Sequence, residues 1–165
     1  MSHLEGTTCL ERMCDLIGAS EDWLVQTVIA SARELGAAGH APRSMASWRD
    51  SVRGLSDALF QAVYAVGDGY AEGPAHGDPV VAYGIVRARS QIGRGMRPEL
   101  WLDLLQHYRV SYLALIRSSE MDGDDQEVCC RFVDRVFDRF EGGFRDEVRI
   151  LDHGRAPHRR SRLAE

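Results

Sequence analysis

Five arginines gather in the segment RARSQIGRGMRPELWLDLLQHYRVSY, residues 87–112. Arg87, Arg89, Arg94, Arg97 and Arg109 surround a Gly-x-Gly turn and share the segment with Tyr108 and Tyr112. Guanidinium groups at this density serve anion binding, nucleic-acid contact or intramolecular pairing. A phosphate loop of the GxxxxGK[ST] type is excluded, because it places a lysine on the phosphates and this chain has none. A dinucleotide fingerprint also fails, since GRG follows a helix-like run and not a strand. A DNA-reading helix needs polar residues along its N-terminal half, and here that half reads PELWLDLLQ, apolar and acidic.

Two readings remain for Arg87, Arg89, Arg94, Tyr108, Arg109 and Tyr112. Arg87, Arg89 and Arg94 fall at the C-terminal end of a helical run, where cations offset the helix dipole and reach free carbonyls. Arg109 lies on an apolar helix, where a guanidinium has to be paired or stacked. The set therefore either ties a helix corner together or holds a small anion or other small-molecule signal between two helices.

Catalytic patterns are missing: there is no GxSxG, no HExxH and no compact His/Asp/Glu cluster. His107 reads as a half-buried histidine with a hydrogen-bond partner, the alternative being an axial haem ligand presented from a helix. His40 and His76 fall in loops. His153 falls in the tail, outside the helical context of a phospho-accepting histidine. The cysteines, Cys9, Cys14, Cys129 and Cys130, form no CxxC pair. Core thiols are expected, with no metal, no disulfide framework and no cofactor.

Positioning these residues falls to helices. Leu10, Met13, Cys14 and Ile17 predict a short helix ending at Gly18, and Ser20 caps a second with Leu24, Val28, Ala32 and Leu35 inward. Ser47 is expected to cap a third, carrying Trp48, Val52, Leu55, Leu59, Val63 and Val66. After the Gly/Pro-rich stretch GDGYAEGPAHGD, Asp78 and Pro79 predict the cap and first residue of a fourth helix. Its expected buried face is Val81, Gly84, Ile85, Ala88 and Ile92. Pro98 starts a fifth, with Trp101, Leu104, Leu105, Tyr108, Tyr112 and Leu115 on a broad face that predicts a central position. A sixth carries Val133, Val136, Phe137, Phe140, Phe144, Val148 and Leu151, with a soft point at Gly142-Gly143. The class is all-α: one helical-bundle domain of about six helices.

Net charge is −5, and outside the last twelve residues sixteen arginines face twenty-four acids. So acidic a body excludes a nucleic-acid partner. No apolar run nears the roughly 18 residues of a membrane span, and no signal peptide opens the chain, so a cytoplasmic location is expected. The organisation reads as a short N-terminal helix at 1–19, a helical module at 20–152 and a basic tail at 153–165. Part of the last helix, around Phe140, Phe144 and Val148, is expected to meet a second copy in a homodimer.

The stretch DPVVAYGIVRARSQIGRGMRPELWLDLLQHYRVSYLALI resembles the N-terminal helical module of bacterial sensory histidine kinases, often followed by PAS domains. Asp78, Pro79, Tyr83, Gly84, Ile85, Ala88, Arg89, Arg94, Gly95, Tyr108, Arg109, Tyr112, Leu115 and Ile116 carry the likeness, which spans about residues 20–150. EDWLVQTVIASARELG, SWRDSVRGLSDALFQAV and CRFVDRVFDRFEGGFRDEV resemble its opening and closing helices. A weaker likeness runs to the helical N-terminal domain of stressosome co-antagonists, which is globin-like without haem. The resemblance implies a globin-like, non-catalytic signalling domain with a PAS or kinase domain downstream. A haem-binding gas sensor using His107 is the alternative. Where the family carries a histidine–arginine pair, this chain has Ser90 and Gln91.

Overall fold

Helix starts follow local cap chemistry. The computed structural model describes residues 8–34, 44–66 and 77–155, and within them finds six helices and no strand. These are α1 (Cys9–Ala19), α2 (Glu21–Glu34), α3 (Met45–Val66), α4 (Pro79–Gly93), α5 (Pro98–Arg117) and α6 (Gly123–Arg155). The all-α class expected from the helical period is the observed one. Thr8 opens α1 with a reciprocal capping box to Glu11. Asp78 opens α4 by accepting from the Val80 amide at 2.9 Å, with Pro79 in the first turn as expected. α3 starts earlier than Ser47, because the Ser44 hydroxyl accepts from the Ser47 amide at 3.2 Å and takes the cap role.

The expected stripes of α1, α2, α3 and α5 are buried at every described position. Leu35 and the Val66 side chain, with most of GDGYAEGPAHGD, lie outside the described residues. α5 is central as predicted, packing on α1, α2, α4 and α6. α1 joins this core and is not an appendage. α6 continues through Arg155, so His153 is helical, its Nδ1 2.7 Å from the Arg149 carbonyl. Among the described residues no helix is long and apolar enough to cross a membrane.

α4 and α6 form the most extensive pair, and here the structure departs from the periodicity. The buried row of α4 is Val80, Gly84, Ala88 and Gln91, while Val81, Ile85 and Ile92 are only half-buried. Small residues face α6 because the two backbones touch. A Cβ on Gly84 would lie 2.4 Å from the Phe140 carbonyl oxygen, and one on Gly143 2.5 Å from that of Val81. α6 runs unbroken through Gly142-Gly143, and Gly143 serves a close crossing. Asp78 pairs with Arg139 at 2.8 Å and Arg89 with Glu147 at 2.6 Å, so contacts advance together along both chains and the helices run in the same direction.

The expected dimer face is corrected as well. Phe140 and Phe144 are 1% and 0% exposed, stacked beneath Trp101, and Val148 is half-buried against the same core. The apolar area of Phe140 and Phe144 is consumed within one chain, while Val148 keeps part of its surface exposed.

Candidate functional site

Arg87 stands one helical turn after Tyr83, and this i, i+4 spacing puts both on the α4 face that looks toward α3 and α5. Its Nε donates to the Tyr83 hydroxyl at 2.9 Å, and its Nη2 donates to the Ser51 hydroxyl of α3 at 3.1 Å. Ser51 in turn donates to the Ser47 carbonyl at 3.0 Å. Tyr83 reaches α3 because Gly54 leaves room: a Cβ there would sit 2.3 Å from its hydroxyl. From α5, Trp101, Leu104 and Tyr108 close the far wall, and Gly95, at φ 80°, turns the chain between the two helices.

These side chains enclose a cleft of about 20 Å³, room for one or two water-sized groups. Among the described residues its lining carries one cation and no carboxylate, imidazole or thiol. Among the described residues Arg87 pairs with hydroxyls and with no acid. Gln91, 7% exposed, brings an amide with no hydrogen-bond partner among those residues. Burial pushes the Tyr108 phenol well above the usual tyrosine range, against the opposing hydrogen bond to Ser51. Burial also raises Tyr83, more than the Arg87 charge lowers it. Both phenols stay protonated near neutrality. The cleft is thus a set of hydrogen-bond donors around one positive charge, suited to an anionic or acceptor-rich group.

The other residues of the arginine segment do not converge there. Arg89 crosses to Glu147 on α6. Arg109, 18% exposed, donates to Asp138 at 2.6 Å, lies 3.7 Å from Asp134 and stacks over Phe137, while its buried Nε has no partner. Arg94 closes α4 with its backbone N–H on the Ser90 and Gln91 carbonyls, and its exposed side chain has no ion pair among the described residues. Tyr112 is fully buried, donating to the Val52 carbonyl at 3.1 Å and sharing a 2.7 Å hydrogen bond with Ser56. Of the six residues singled out from the sequence, Arg87 and Tyr108 meet in the cleft; Arg89 and Arg109 are intramolecular ties. Ser51, Gln91 and Trp101 join the cleft without having been singled out. The Tyr83–Arg87 spacing was the signal that could have found half of it.

His107 is half-buried on α5, does not line the cleft, and its ring has no hydrogen-bond partner among the described residues. The partner expected for it is absent there. His40 and His76 lie outside those residues. All four cysteines are free, Cys9 half-buried and the rest buried. No group of three or more His, Cys, Asp or Glu among the described residues could hold a metal ion.

The cleft is mechanically joined to α6. The Tyr83 ring lies 5.2 Å from Phe140, and Trp101 stacks on Phe140 at 5.3 Å and on Phe144 at 4.6 Å. Compared with family models, curated proteins and solved structures, the chain matches none.

Proposed function

We propose that the chain is a non-catalytic sensory domain of a bacterial signal-transduction protein of the histidine-kinase type, working in the cytoplasm. A small anionic or acceptor-rich signal occupies the Arg87 cleft, and α6 carries the response to a PAS or kinase domain on its C-terminal side. One observation carries this reading: Tyr83 and Trp101 line the cleft and also pack on Phe140 and Phe144 of α6. A ligand shifts an equilibrium only by preferring one of two states. A group entering so small a cleft has to part Tyr83 from Trp101, and in a close-packed interior that displacement reaches Phe140 and Phe144.

The test is hydrogen exchange in α6, read in peptides covering residues 138–152. Ser51→Leu fills the cleft and Arg87→Met removes its cation; both are expected to change α6 exchange while α2 keeps its rates. A filled cleft with unaltered α6 exchange refutes the coupling. Nitrate or acetate is expected to raise the thermal midpoint above that in gluconate at equal ionic strength, and Arg87→Met to abolish the difference. Reconstitution with haemin is the remaining arm. A stoichiometric Soret band, lost in His107→Ala, replaces this reading with a haem-binding gas sensor.

A further inference from the structure

The N-terminal end of α6 carries a second feature, away from the cleft. Cys9 is the first residue of α1 and half-buried; Cys129 lies on α6, 0% exposed. The Cys129 Sγ donates to the Cys9 carbonyl at 3.4 Å. One turn along, Arg12 of α1 forms an ion pair with Asp125 of α6. Both contacts place the two helices antiparallel, with Cys9 and Cys129 at one level. The other two thiols differ: Cys14 is buried a turn and a half further along α1, and Cys130 points about 100° away from Cys129 around α6.

We propose that Cys9 and Cys129 are a peroxide-responsive thiol pair, which closes an intramolecular disulfide between α1 and α6. Cys9, the accessible member, attacks the O–O bond of hydrogen peroxide; its sulfur is oxidised to sulfenic acid and one oxygen leaves as water. Cys129 Sγ then attacks that sulfur, the S–O bond breaks, and the hydroxide leaves with the Cys129 proton as a second water. Two thiols and one peroxide yield one disulfide and two waters. A disulfide requires Cβ atoms about 3.5–4.5 Å apart, and the 3.4 Å contact of the Cys129 thiol with the Cys9 carbonyl makes the two residues direct neighbours on facing helices. Burial, and after it the neighbouring Cys9, push Cys129 up to about 12, so Cys129 stays protonated and is not the thiol that peroxide oxidises first. In a reducing compartment such a bond is a transient signal and not a staple. It fastens α1 to α6, the helix that the cleft also contacts.

The test uses the full chain, treated with stoichiometric hydrogen peroxide and mapped by non-reducing peptide mass spectrometry. The expected product is a monomer in which free thiols fall from four to two, with Cys9 joined to Cys129 and a raised thermal midpoint. Cys9→Ser abolishes the linkage, whereas Cys130→Ser leaves it intact. A Cys129–Cys130 bond, an intermolecular bond through Cys9, or over-oxidised Cys9 beside reduced Cys129 overturns the proposal.

Discussion

Neighbouring glycines on α6 are expected to respond to alanine with opposite sign. A Cβ on Gly142 meets nothing within 4 Å, so Gly142→Ala collects the helix-propensity gain of about 0.8–1.0 kcal/mol. For a chain of this length that raises the thermal midpoint by roughly 2–4 °C. The same gain is available at Gly143, but its Cβ would lie 2.5 Å from the Val81 carbonyl oxygen and 3.2 Å from that residue's C and Cα. Backbone cannot rotate away as a flexible side chain does. Reaching an ordinary 3.4 Å contact moves α4 and α6 apart by about 0.9 Å, along a crossing whose ends are fixed by Asp78–Arg139 and Arg89–Glu147. Overpacking of this kind costs about 1–3 kcal/mol. Because the propensity gain is common to both, the gap between the variants isolates the contact, and it corresponds to midpoints roughly 2–12 °C apart. Urea melts followed by circular dichroism, with calorimetry, supply the comparison. Equal stabilisation in both variants would mean that α4 and α6 do not touch through their backbones; equal destabilisation would restore the kink that the glycine pair suggests in the sequence.

Arg89→Met strips the 6%-exposed Glu147 side chain of its 2.6 Å partner and is expected to cost about 1–3 kcal/mol, most of it recovered in the double variant with Glu147→Leu. A neutral single variant in urea melts would refute the buried-carboxylate argument. Asp78→Ala removes the α4 cap and the carboxylate facing Arg139, both largely buried, for an expected loss of about 3–5 kcal/mol by calorimetry; a loss under about 1 kcal/mol contradicts it. Tyr112→Phe leaves Ser56 and the Val52 carbonyl short of a buried partner, an expected cost of about 1–3 kcal/mol, and in Ser56→Ala the further cost of Tyr112→Phe should shrink. Glu21 is held below its ordinary value of 4.5, chiefly by the hydrogen bond from Arg53 and by the charges of Arg53 and Arg49. A lowered folded-state value stabilises above pH 4.5 and is lost as pH falls below it, so Glu21→Gln should flatten the acid limb slightly. The pair is exposed, so the effect is small and shrinks in salt; a gap between the two proteins that persists at low pH sinks the assignment.

The helices were legible because burial in most of them follows the 3.6-residue period, and Trp101 to Ile116 shows it without interruption. The inward face of α4 was legible only in part, at Gly84 and Ala88. What decides it is a glycine on α6, far downstream, whose missing side chain lets small residues win over Val81, Ile85 and Ile92. The arginine segment misled for a geometric reason. Arg87 and Arg89 are two residues apart and so about 200° apart around the helix axis, which sends one to the cleft and the other to α6. Density along the chain is not convergence in space. Phe140 and Phe144 were read as a surface seam because an amphipathic stripe shows that a face is covered and is silent about what covers it. Ser51 comes from α3, far upstream of Arg87, and nothing local in the sequence joins the two; Trp101 lies within the arginine segment but reads there as part of the buried face of α5.

The division of labour around α4 explains how so small a cleft could govern so long a helix. One face of α4 presents Tyr83 and Arg87 to the cleft; the other brings Gly84 and the Val81 carbonyl directly against α6. At Gly84 and Gly143 no side chain cushions the contact, so a shift of α4 cannot be absorbed by a change of rotamer. Trp101 adds a second route, through ring stacking on Phe140 and Phe144. α6 is held at three levels: near residues 125–129 by the ion pair and thiol contact with α1, at Asp134 and Asp138 by Arg109 of α5, and across residues 139–147 by α4. Beyond Glu147 its grip on the core loosens, and Ile150 is 63% exposed. A displacement imposed by α4 pivots on the α1 and α5 ties before it and is expected to be largest past Glu147, where α6 leaves its neighbours. Tightening the α1 contact, as a Cys9–Cys129 bond does, stiffens that pivot without touching the cleft, so the two sites are expected to act on one lever from different ends.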